Sequence, residues 1–249
     1  VLVTGGARRI GRAIALDFAR CGWNVAVHFN KSESEAEAVV AEITTCGARA
    51  VSVRADLQVE SEVEQLVPMA VRHLGPLSDL VNNASVFEGD SGLDATRDSW
   101  DRNFEVNLRA PFVLIQNFVR QLLPNGHGSI VNLIDERVWN LTPHFVSYTV
   151  SKAALWTLTQ TLAVALAPAV RVNAVGPGAA LASGYETPDT FRRLGAALPR
   201  GCGTAPEEIG DAVRFLLRSP AITGQMLAVD GGKHLGWLLP GQNAAEAIV

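Results

Sequence analysis

The sequence predicts an α/β protein, a single doubly wound domain in which a parallel sheet of about seven strands carries helices on both faces. Short apolar runs alternate along the whole chain with longer stretches whose apolar residues recur at helical spacing. The short runs are apolar at consecutive positions, as expected for strands buried on both faces. No repeat or low-complexity linker interrupts the alternation, so residues 1–249 are predicted to form one domain.

The elements follow in a regular order. Residues 1–3 predict a strand, and apolar residues at 10, 13, 14 and 18 then recur on one helix face until Cys21-Gly22 ends it. Ser32-Glu33-Ser34-Glu35 is typical of a capping box that opens the next helix. The further predicted strands are 24–28, 50–54, 80–83, 129–134, 171–175 and 225–229, and the further predicted helices are 32–46, 59–73, 104–123, 147–166 and 206–217.

Composition and charge argue against several classes of function. The 249 residues are 48% apolar with a net charge of −4, so neither nucleic acid nor a membrane is an expected partner. Cys21, Cys46 and Cys202 show no metal-ligand spacing, which predicts a cytoplasmic protein without a metal site. No apolar run reaches the roughly 18 residues of a membrane span. Because the chain opens within an apolar strand at Val1, we expect further residues before it.

A glycine-rich turn, Thr4-Gly5-Gly6-Ala7-Arg8-Arg9-Ile10-Gly11, joins the first strand to the first helix. The first glycine permits a tight turn, and the last permits close packing of the helix on the sheet. Backbone amides at this helix N-terminus can then bind the pyrophosphate of a dinucleotide. The predicted cofactor contacts of the turn are Gly5, Arg8, Arg9, Ile10 and Gly11.

The end of the second strand indicates which dinucleotide is bound. A carboxylate there would accept the ribose hydroxyls of NAD, but the first carboxylate after the strand is Glu33. With the arginines of the glycine turn, this stretch offers donors that suit the 2′-phosphate of NADP(H). A solvated basic patch is the alternative interpretation. The predicted cofactor contacts here are His28, Phe29, Asn30, Lys31 and Ser32.

A tyrosine and a lysine four residues apart, Tyr148 and Lys152, fall on one face of a predicted helix. Tyrosine has an ordinary pKa of about 10. We expect the charge of Lys152, together with that of a nicotinamide when it is oxidised, to lower the Tyr148 pKa towards the working range of a general acid. Asp135 ends the fifth strand thirteen residues earlier, where a carboxyl group can supply or relay a proton.

The order of these motifs resembles the short-chain dehydrogenase/reductase family, whose members have one Rossmann-type domain. The chain also carries Asn82-Asn83-Ala84 after the fourth strand, Asn107 on the long helix and Gly176-Pro177-Gly178 after the sixth strand. The resemblance covers nearly the whole chain. It implies catalytic roles for Tyr148, Lys152 and Asn107, the asparagine by helping to organise a water chain that reaches the lysine.

The same resemblance implies further cofactor contacts and an assembly. Asp56 would bind the adenine amino group, and Asn83 and Ala84 would line the adenosine side. The other implied cofactor contacts are Leu57, Ser85, Lys152, Pro177 and Gly178. Family members are commonly tetramers built through the helices found here at about 104–123 and 148–166, so a homotetramer is expected.

At three positions where the chain departs from the usual family pattern, its residues resemble those of the pteridine reductases. This group has dihydromonapterin and dihydrofolate reductase relatives. Arg9 replaces a glycine of the turn, Ser85 replaces the glycine after Asn-Asn-Ala, and Asp135 replaces the catalytic serine. Phe87 follows two residues after Ser85, and a His-aromatic pair ends the second strand, as in that group. The resemblance implies NADPH-dependent reduction of a pterin or folate C=N bond.

A pterin would give these side chains separate roles. Phe87 could stack on one face of the flat bicycle while the nicotinamide covers the other. Ser85 could bind the ring edge or a cofactor phosphate, and Arg9 could bridge the pyrophosphate and the polar rim. The proton would come from Tyr148, or through Asp135 and a water. In the alternative interpretation, Asp135 only accepts a hydrogen bond from Tyr148.

Two other functions stay open at the level of sequence. A carbonyl reductase acting on a 3-oxoacyl thioester or another ketone would use Asp135 in place of serine. A non-catalytic NADP-binding module would need neither Tyr148 nor Lys152. The sequence does not identify the natural substrate or the physiological direction.

Two C-terminal segments carry further expectations. Residues 179–200 have the composition of an apolar loop and helix, and they are predicted to form a lid over the substrate. The tail, residues 236–249, carries Trp237, Leu238 and Leu239, which we expect to pack against a neighbouring subunit.

Overall fold

The computed structural model describes residues 1–236, so the expected contacts of Trp237, Leu238 and Leu239 lie outside the described residues. All seven predicted strands are found in one parallel sheet with the order β3-β2-β1-β4-β5-β6-β7. The strands are β1 Leu2–Val3, β2 Val25–Phe29, β3 Ala50–Arg54, β4 Asp79–Asn82, β5 Gly128–Leu133, β6 Val170–Pro177 and β7 Met226–Val229. The predicted doubly wound α/β class is therefore confirmed.

Helices cover both faces of the sheet. They are α1 Arg9–Arg20, α2 Glu33–Thr45, α3 Glu60–Leu74, α4 Arg97–Phe104, α5 Ala110–Arg120, α6 Val146–Ala165, α7 Pro188–Ala196 and α8 Pro206–Arg218. Neighbouring residues of a strand point to opposite faces, so Val3 packs with α1, α2 and α8, whereas Leu2 packs with α3 and α5. This is why consecutive strand positions are apolar.

The strand order places a crevice beyond the carboxyl ends of the strands, between β1 and β4. Leu2 of β1 pairs with Ala26 of β2 on one side and with Leu80 of β4 on the other. The chain therefore leaves β1 and β4 in opposite directions, and ligands of such sheets bind beyond the carboxyl ends of the strands at this point. Nearly all the motifs of the sequence lie there or on the helix that follows.

One local prediction was incomplete and one was wrong. The helix predicted over 104–123 is interrupted by a π-helical turn at Glu105–Arg109, and it is preceded by α4, which the sequence did not indicate because that segment is strongly polar. The capping box predicted at Ser32 does not form, since the Ser32 side chain caps no amide. Instead, Thr96 and Ser99 form a capping box at the start of α4.

Two kinds of feature are absent from residues 1–236. No helix among them has both the length and the apolar character that crossing a membrane requires. No three His, Cys, Asp or Glu side chains in this range come together as a metal site would need.

Candidate active site

A cleft of about 610 Å³ lies over the carboxyl ends of β1 to β6. Most of the predicted site residues line it: Gly5, Arg8, Arg9, Ile10, Gly11, His28, Phe29, Asn30, Lys31, Ser32, Asp56, Leu57, Asn83, Ala84, Ser85, Phe87, Asp135, Tyr148 and Gly178. Lys152, Asn107 and Pro177 do not line the cleft. Residues that the sequence did not indicate also line it, among them Glu136, Arg137 and Lys233.

The glycine turn leaves space that a side chain would fill. Gly5 has a φ of +61°, in the left-handed region that favours glycine. A Cβ on Gly11 would lie 2.1 Å from the Gly5 carbonyl oxygen, so α1 can approach the turn only without a side chain there. Asn83 holds the turn from β4 by donating from Nδ2 to the Thr4 carbonyl at 2.8 Å. The cradle and the free amides of α1 fit a dinucleotide pyrophosphate.

His28 lines the cleft, but its ring is engaged by protein atoms. Its ring is buried, Nδ1 accepts a hydrogen bond from the Gly5 amide at 3.0 Å, and Nε2 lies 3.0 Å from the Ala55 carbonyl. These partners require a neutral ring with its proton on Nε2. Burial lowers the His28 pKa to about 4, which keeps the ring neutral. His28 therefore fixes the glycine turn, and neither ring nitrogen is available to a cofactor.

The end of β2 is basic, as predicted. Lys31 is exposed at the rim of the cleft, beside Asn30 and Ser32. Arg8 lies across from them, with an exposed guanidinium 3.8 Å from Glu35, a distance at which an exposed pair contributes little. These groups fit a phosphate on the adenosine ribose.

Arg9 connects the glycine turn to the predicted lid. Its backbone is left-handed, with a φ of +53°, where the family has glycine. Its guanidinium donates to the carbonyl oxygens of Leu181 and Ala182 at 3.2 and 3.0 Å. The predicted bridge from Arg9 to the pyrophosphate and the substrate stays a prediction.

Asp135 and Tyr148 are in direct contact. The Tyr148 hydroxyl donates to Asp135 Oδ2 at 2.7 Å, and Asp135 Oδ1 accepts from the Arg137 amide at 2.9 Å. Lys152 is buried behind the tyrosine, and its Nζ donates to the Leu133 carbonyl at 2.7 Å. The lysine Nζ lies 5.8 Å from the centre of the Tyr148 ring.

The expected lowering of the Tyr148 pKa is wrong for this arrangement. Burial, together with the neighbouring charge of Asp135, raises the Tyr148 pKa well above its ordinary value. Burial also lowers the Lys152 pKa to about 8, which weakens the lysine as a source of positive charge. The tyrosine therefore holds its proton firmly in contact with a carboxylate acceptor.

Asn107 lies in the π-helical turn and joins β4 to α6. Its Oδ1 accepts from the Val86 amide at 2.9 Å and from Ser85 Oγ at 3.0 Å, and its Nδ2 donates to Ser151 Oγ at 3.1 Å. Its side chain is thus engaged by protein atoms. The predicted water chain to Lys152 stays a prediction.

An aromatic cluster lies beside Tyr148 at the other end of the cleft. Phe87 stacks on Phe145, with ring centres 4.2 Å apart and planes 10° apart, and it meets Tyr148 at nearly a right angle at 4.8 Å. Tyr185 of the predicted lid packs at right angles to both phenylalanines. The Arg137 guanidinium lies 5.0 Å from the Phe145 ring centre. The sequence did not indicate the roles of Phe145 and Arg137, since nothing in its local pattern places them here.

A partly buried ion pair between Glu136 and Lys233 also lines the cleft. Glu136 is only 2% exposed, and its Oε1 lies 2.9 Å from Lys233 Nζ. Burial raises the Glu136 pKa despite the lysine. The only sequence signal for this pair is that each charge follows closely after a buried strand.

Comparison with known proteins gives matches along nearly the whole chain. A family model described as "Enoyl-(Acyl carrier protein) reductase" matches residues 5–234. The 3-oxoacyl-[acyl-carrier-protein] reductase FabG of Staphylococcus epidermidis is 33% identical over 239 residues, which cover 94% of this chain and 98% of that protein.

Two solved structures are more similar. FolM Alternative dihydrofolate reductase 1 from Brucella canis, complexed with NADP, is 46% identical with a TM-score of 0.92, covering 97% of this chain and 96% of that one. The Brucella suis protein of the same name, also with NADP, is 46% identical with a TM-score of 0.93, covering 97% of each chain.

Proposed function

This chain belongs to the short-chain dehydrogenase/reductase family, and we propose that it is an NADPH-dependent reductase of a C=N bond in a pterin or folate. The observation that carries the proposal is the direct contact between the Tyr148 hydroxyl and Asp135, beside the aromatic cluster. The similarity to the two FolM dihydrofolate reductases, greater than that to FabG, supports it.

NADP(H) fits the cofactor end of the cleft. The glycine cradle and the α1 amides would hold the pyrophosphate, and Arg8, Lys31 and Ser32 would bind the 2′-phosphate. Both FolM structures contain NADP, which supports the assignment. When bound, NADPH supplies hydride from C4 of its nicotinamide.

Tyr148 would donate the proton that the substrate nitrogen needs. Its raised pKa keeps the phenol protonated at neutral pH, as a proton donor must be, and also makes it a weaker acid than free tyrosine. Asp135 orients the hydroxyl and would return a proton to it from solvent afterwards. Lys152 would fix the helix face behind the tyrosine through its bond to Leu133.

A carboxylate next to the proton donor favours C=N over C=O as the reacting bond. Reduction of a ketone builds negative charge on oxygen, which a serine hydroxyl stabilises by donating a hydrogen bond. An ionised Asp135 only accepts hydrogen bonds, and its charge would oppose an oxyanion. A pterin instead presents N–H groups that can donate to a carboxylate.

The aromatic cluster is suited to a flat ring. Phe87 lines the cleft with one face against Phe145, and its edges meet Tyr148 and Tyr185. A planar bicycle entering here would contact aromatic carbon on one side and the nicotinamide on the other. Residues 179–200 would close over it as a lid, held by Arg9 at one side and by the contact of Tyr185 with Gly89 at the other.

The second candidate function is reduction of a 3-oxoacyl thioester or another ketone. It is favoured by the full-length similarity to FabG. In that case Asp135 takes the position of the serine without its hydrogen-bond donor.

We also propose a cytoplasmic homotetramer. Helix α6 leaves Val150 and Val164 exposed, at 41% and 80%, which supports an interface between copies on this face. Light scattering after gel filtration would test it, and a monomeric mass would reject it.

The test of the function is NADPH consumption with dihydrobiopterin, dihydromonapterin or dihydrofolate, run beside an acetoacetyl thioester and with NADH as the cofactor control. Turnover of a pterin or folate with NADPH supports the proposal. Turnover of the thioester alone would move the enzyme to the carbonyl reductases.

A further inference from the structure

The helix that carries Tyr148 and Lys152 begins without a cap of its own. Its N-cap residue is Phe145, whose backbone is left-handed and whose ring stacks on Phe87, so it offers no side-chain acceptor. The first amides of a helix have no partner within the helix. Such amides need an acceptor from elsewhere when they are buried, as Ser147 is here.

Asp90, in the loop between β4 and α4, supplies these acceptors. Its backbone carbonyl accepts from the Phe145 amide at 2.7 Å, and its Oδ1 accepts from the Ser147 amide at 3.1 Å. Its Oδ2 accepts from Ser147 Oγ at 2.5 Å. Asp90 is 9% exposed, so this carboxylate is largely shielded from water at the positive end of the helix.

The same carboxylate connects α6 to α4. Asp90 Oδ2 also accepts from Ser99 Oγ at 3.2 Å, in the first turn of α4. Asn103, one turn further along α4, donates from Nδ2 to Ser147 Oγ at 2.8 Å. Ser147 directly precedes Tyr148, so these bonds fix the backbone from which the phenol projects.

We propose that Asp90 is a positioning residue, which caps the catalytic helix from outside and thereby holds the Tyr148 hydroxyl against Asp135. Phe87 lies three residues before Asp90 in the same loop and stacks on the N-cap residue of α6. The loop that lines the substrate end and the helix that carries the proton donor therefore form one unit. The proposal rests on Tyr148 being the proton donor, and it holds for a pterin or a ketone substrate.

Asp90→Ala removes both carboxylate acceptors. Displacement of a reacting group by about 1 Å can cost about 10²-fold in rate, so kcat should fall by about that factor. The Kd for NADPH should not change, because the glycine turn and the end of β2 make no contact with Asp90. Asp90→Asn keeps an acceptor for the Ser147 amide, and it should restore most of kcat.

Thr96→Ala is the matched control. Thr96 Oγ1 caps α4 by accepting from the Ser99 amide at 3.1 Å, and the residue makes no hydrogen bond to α6. It should lower thermal stability to a degree similar to Asp90→Ala without the loss of kcat. Ser147→Ala removes one hydroxyl and leaves the hydrogen bond from the Ser147 amide to Asp90. It should give a smaller loss of kcat, and it tests the proposal if Asp90→Ala does not fold.

The rates are to be measured well below each melting temperature, with whichever substrate the wild-type enzyme reduces. A kcat loss in Asp90→Ala that Thr96→Ala does not show, rescued by asparagine and with an unchanged NADPH Kd, supports the proposal. Equal kcat for Asp90→Ala and Thr96→Ala would overturn it, as would full kcat in Ser147→Ala when only that variant folds. A wild-type enzyme that reduces ketones alone rejects the pterin proposal and leaves this test intact.

Discussion

At the cofactor end of the cleft, most side chains come from two short stretches, residues 5–11 and 28–32. The end proposed to hold the substrate draws on five separate segments, residues 85–90, 135–137, 145–148, 181–186 and Lys233, and their contacts cross from loop to loop. The cofactor end is therefore formed by residues that lie close together in the sequence. The substrate end depends on how the sheet brings distant segments together.

The two ends also differ in their electrostatics. The cations of the cofactor end, such as Arg8 and Lys31, are exposed and suited to a ligand phosphate. At the catalytic end, Tyr148 and Lys152 are buried, and burial shifts both pKa values in favour of the neutral form. Changes at the two ends should accordingly have separable effects, on cofactor binding in one case and on proton transfer in the other.

The largest difference between the effect on kcat and the effect on NADPH binding is expected for Tyr148→Phe. Loss of the proton donor should lower kcat by about 10³-fold, whereas the NADPH Kd should stay unchanged because the ring itself is kept. Tyr185→Phe, at the other tyrosine of the chain, loses the hydrogen bond from the Gly89 amide that holds the proposed lid, so it should change KM more than kcat. Steady-state kinetics with NADPH fluorescence titration would measure both, and near-normal turnover of Tyr148→Phe would contradict the assignment.

The next prediction concerns the cofactor end, where His28 should make the stability of the fold depend on pH. The His28 pKa is lowered to about 4, below its ordinary value, so the unfolded chain binds more protons than the folded one between these values. Stability should therefore rise with pH in this window, and about 2 kcal/mol should be lost between about pH 7 and about pH 5.

Urea denaturation at the two pH values would measure this loss. His28→Gln should reduce the pH dependence by about this amount, because glutamine does not titrate. His127→Gln, at an exposed histidine, should leave it in place. An unchanged pH dependence in His28→Gln would mean that the histidine is not held neutral in the folded protein.

The Asp135→Ser variant should affect turnover of the two substrate classes differently. Serine can donate to a carbonyl oxygen but cannot hold the Tyr148 proton as a carboxylate does. Pterin or folate turnover should fall by about 10²-fold, and thioester turnover should fall less or rise. Equal losses with both substrates would leave Asp135 as an orienting acceptor only.

The smallest effect is expected for Phe87→Ala. Loss of one aromatic contact should raise KM for pterins by about tenfold, with kcat changed less. Phe215→Ala, at an exposed phenylalanine of α8, is the control. If KM does not move, Phe87 belongs to the packing of Phe145 and not to the substrate pocket.

The contrast between residues close in sequence and long-range contacts also explains which features the sequence could predict. Apolar runs determined the strands, and the glycine turn and the basic end of β2 lie beside each other in the chain. Phe145, Arg137 and the Glu136–Lys233 pair were not found, because the first two contact Phe87 and these partners, like Lys233, are distant in sequence. The direction of the Tyr148 pKa was wrong because the spacing places Lys152 nearby but does not show its bond to Leu133 or the burial of the tyrosine.

The most direct test of the central claim is the ratio of kcat/KM for a dihydropterin or dihydrofolate to that for an acetoacetyl thioester, measured with the wild-type enzyme and NADPH. The contact between Tyr148 and Asp135 predicts a ratio well above one. A ratio well below one would contradict C=N reduction and make Asp135 a variant of the family's serine.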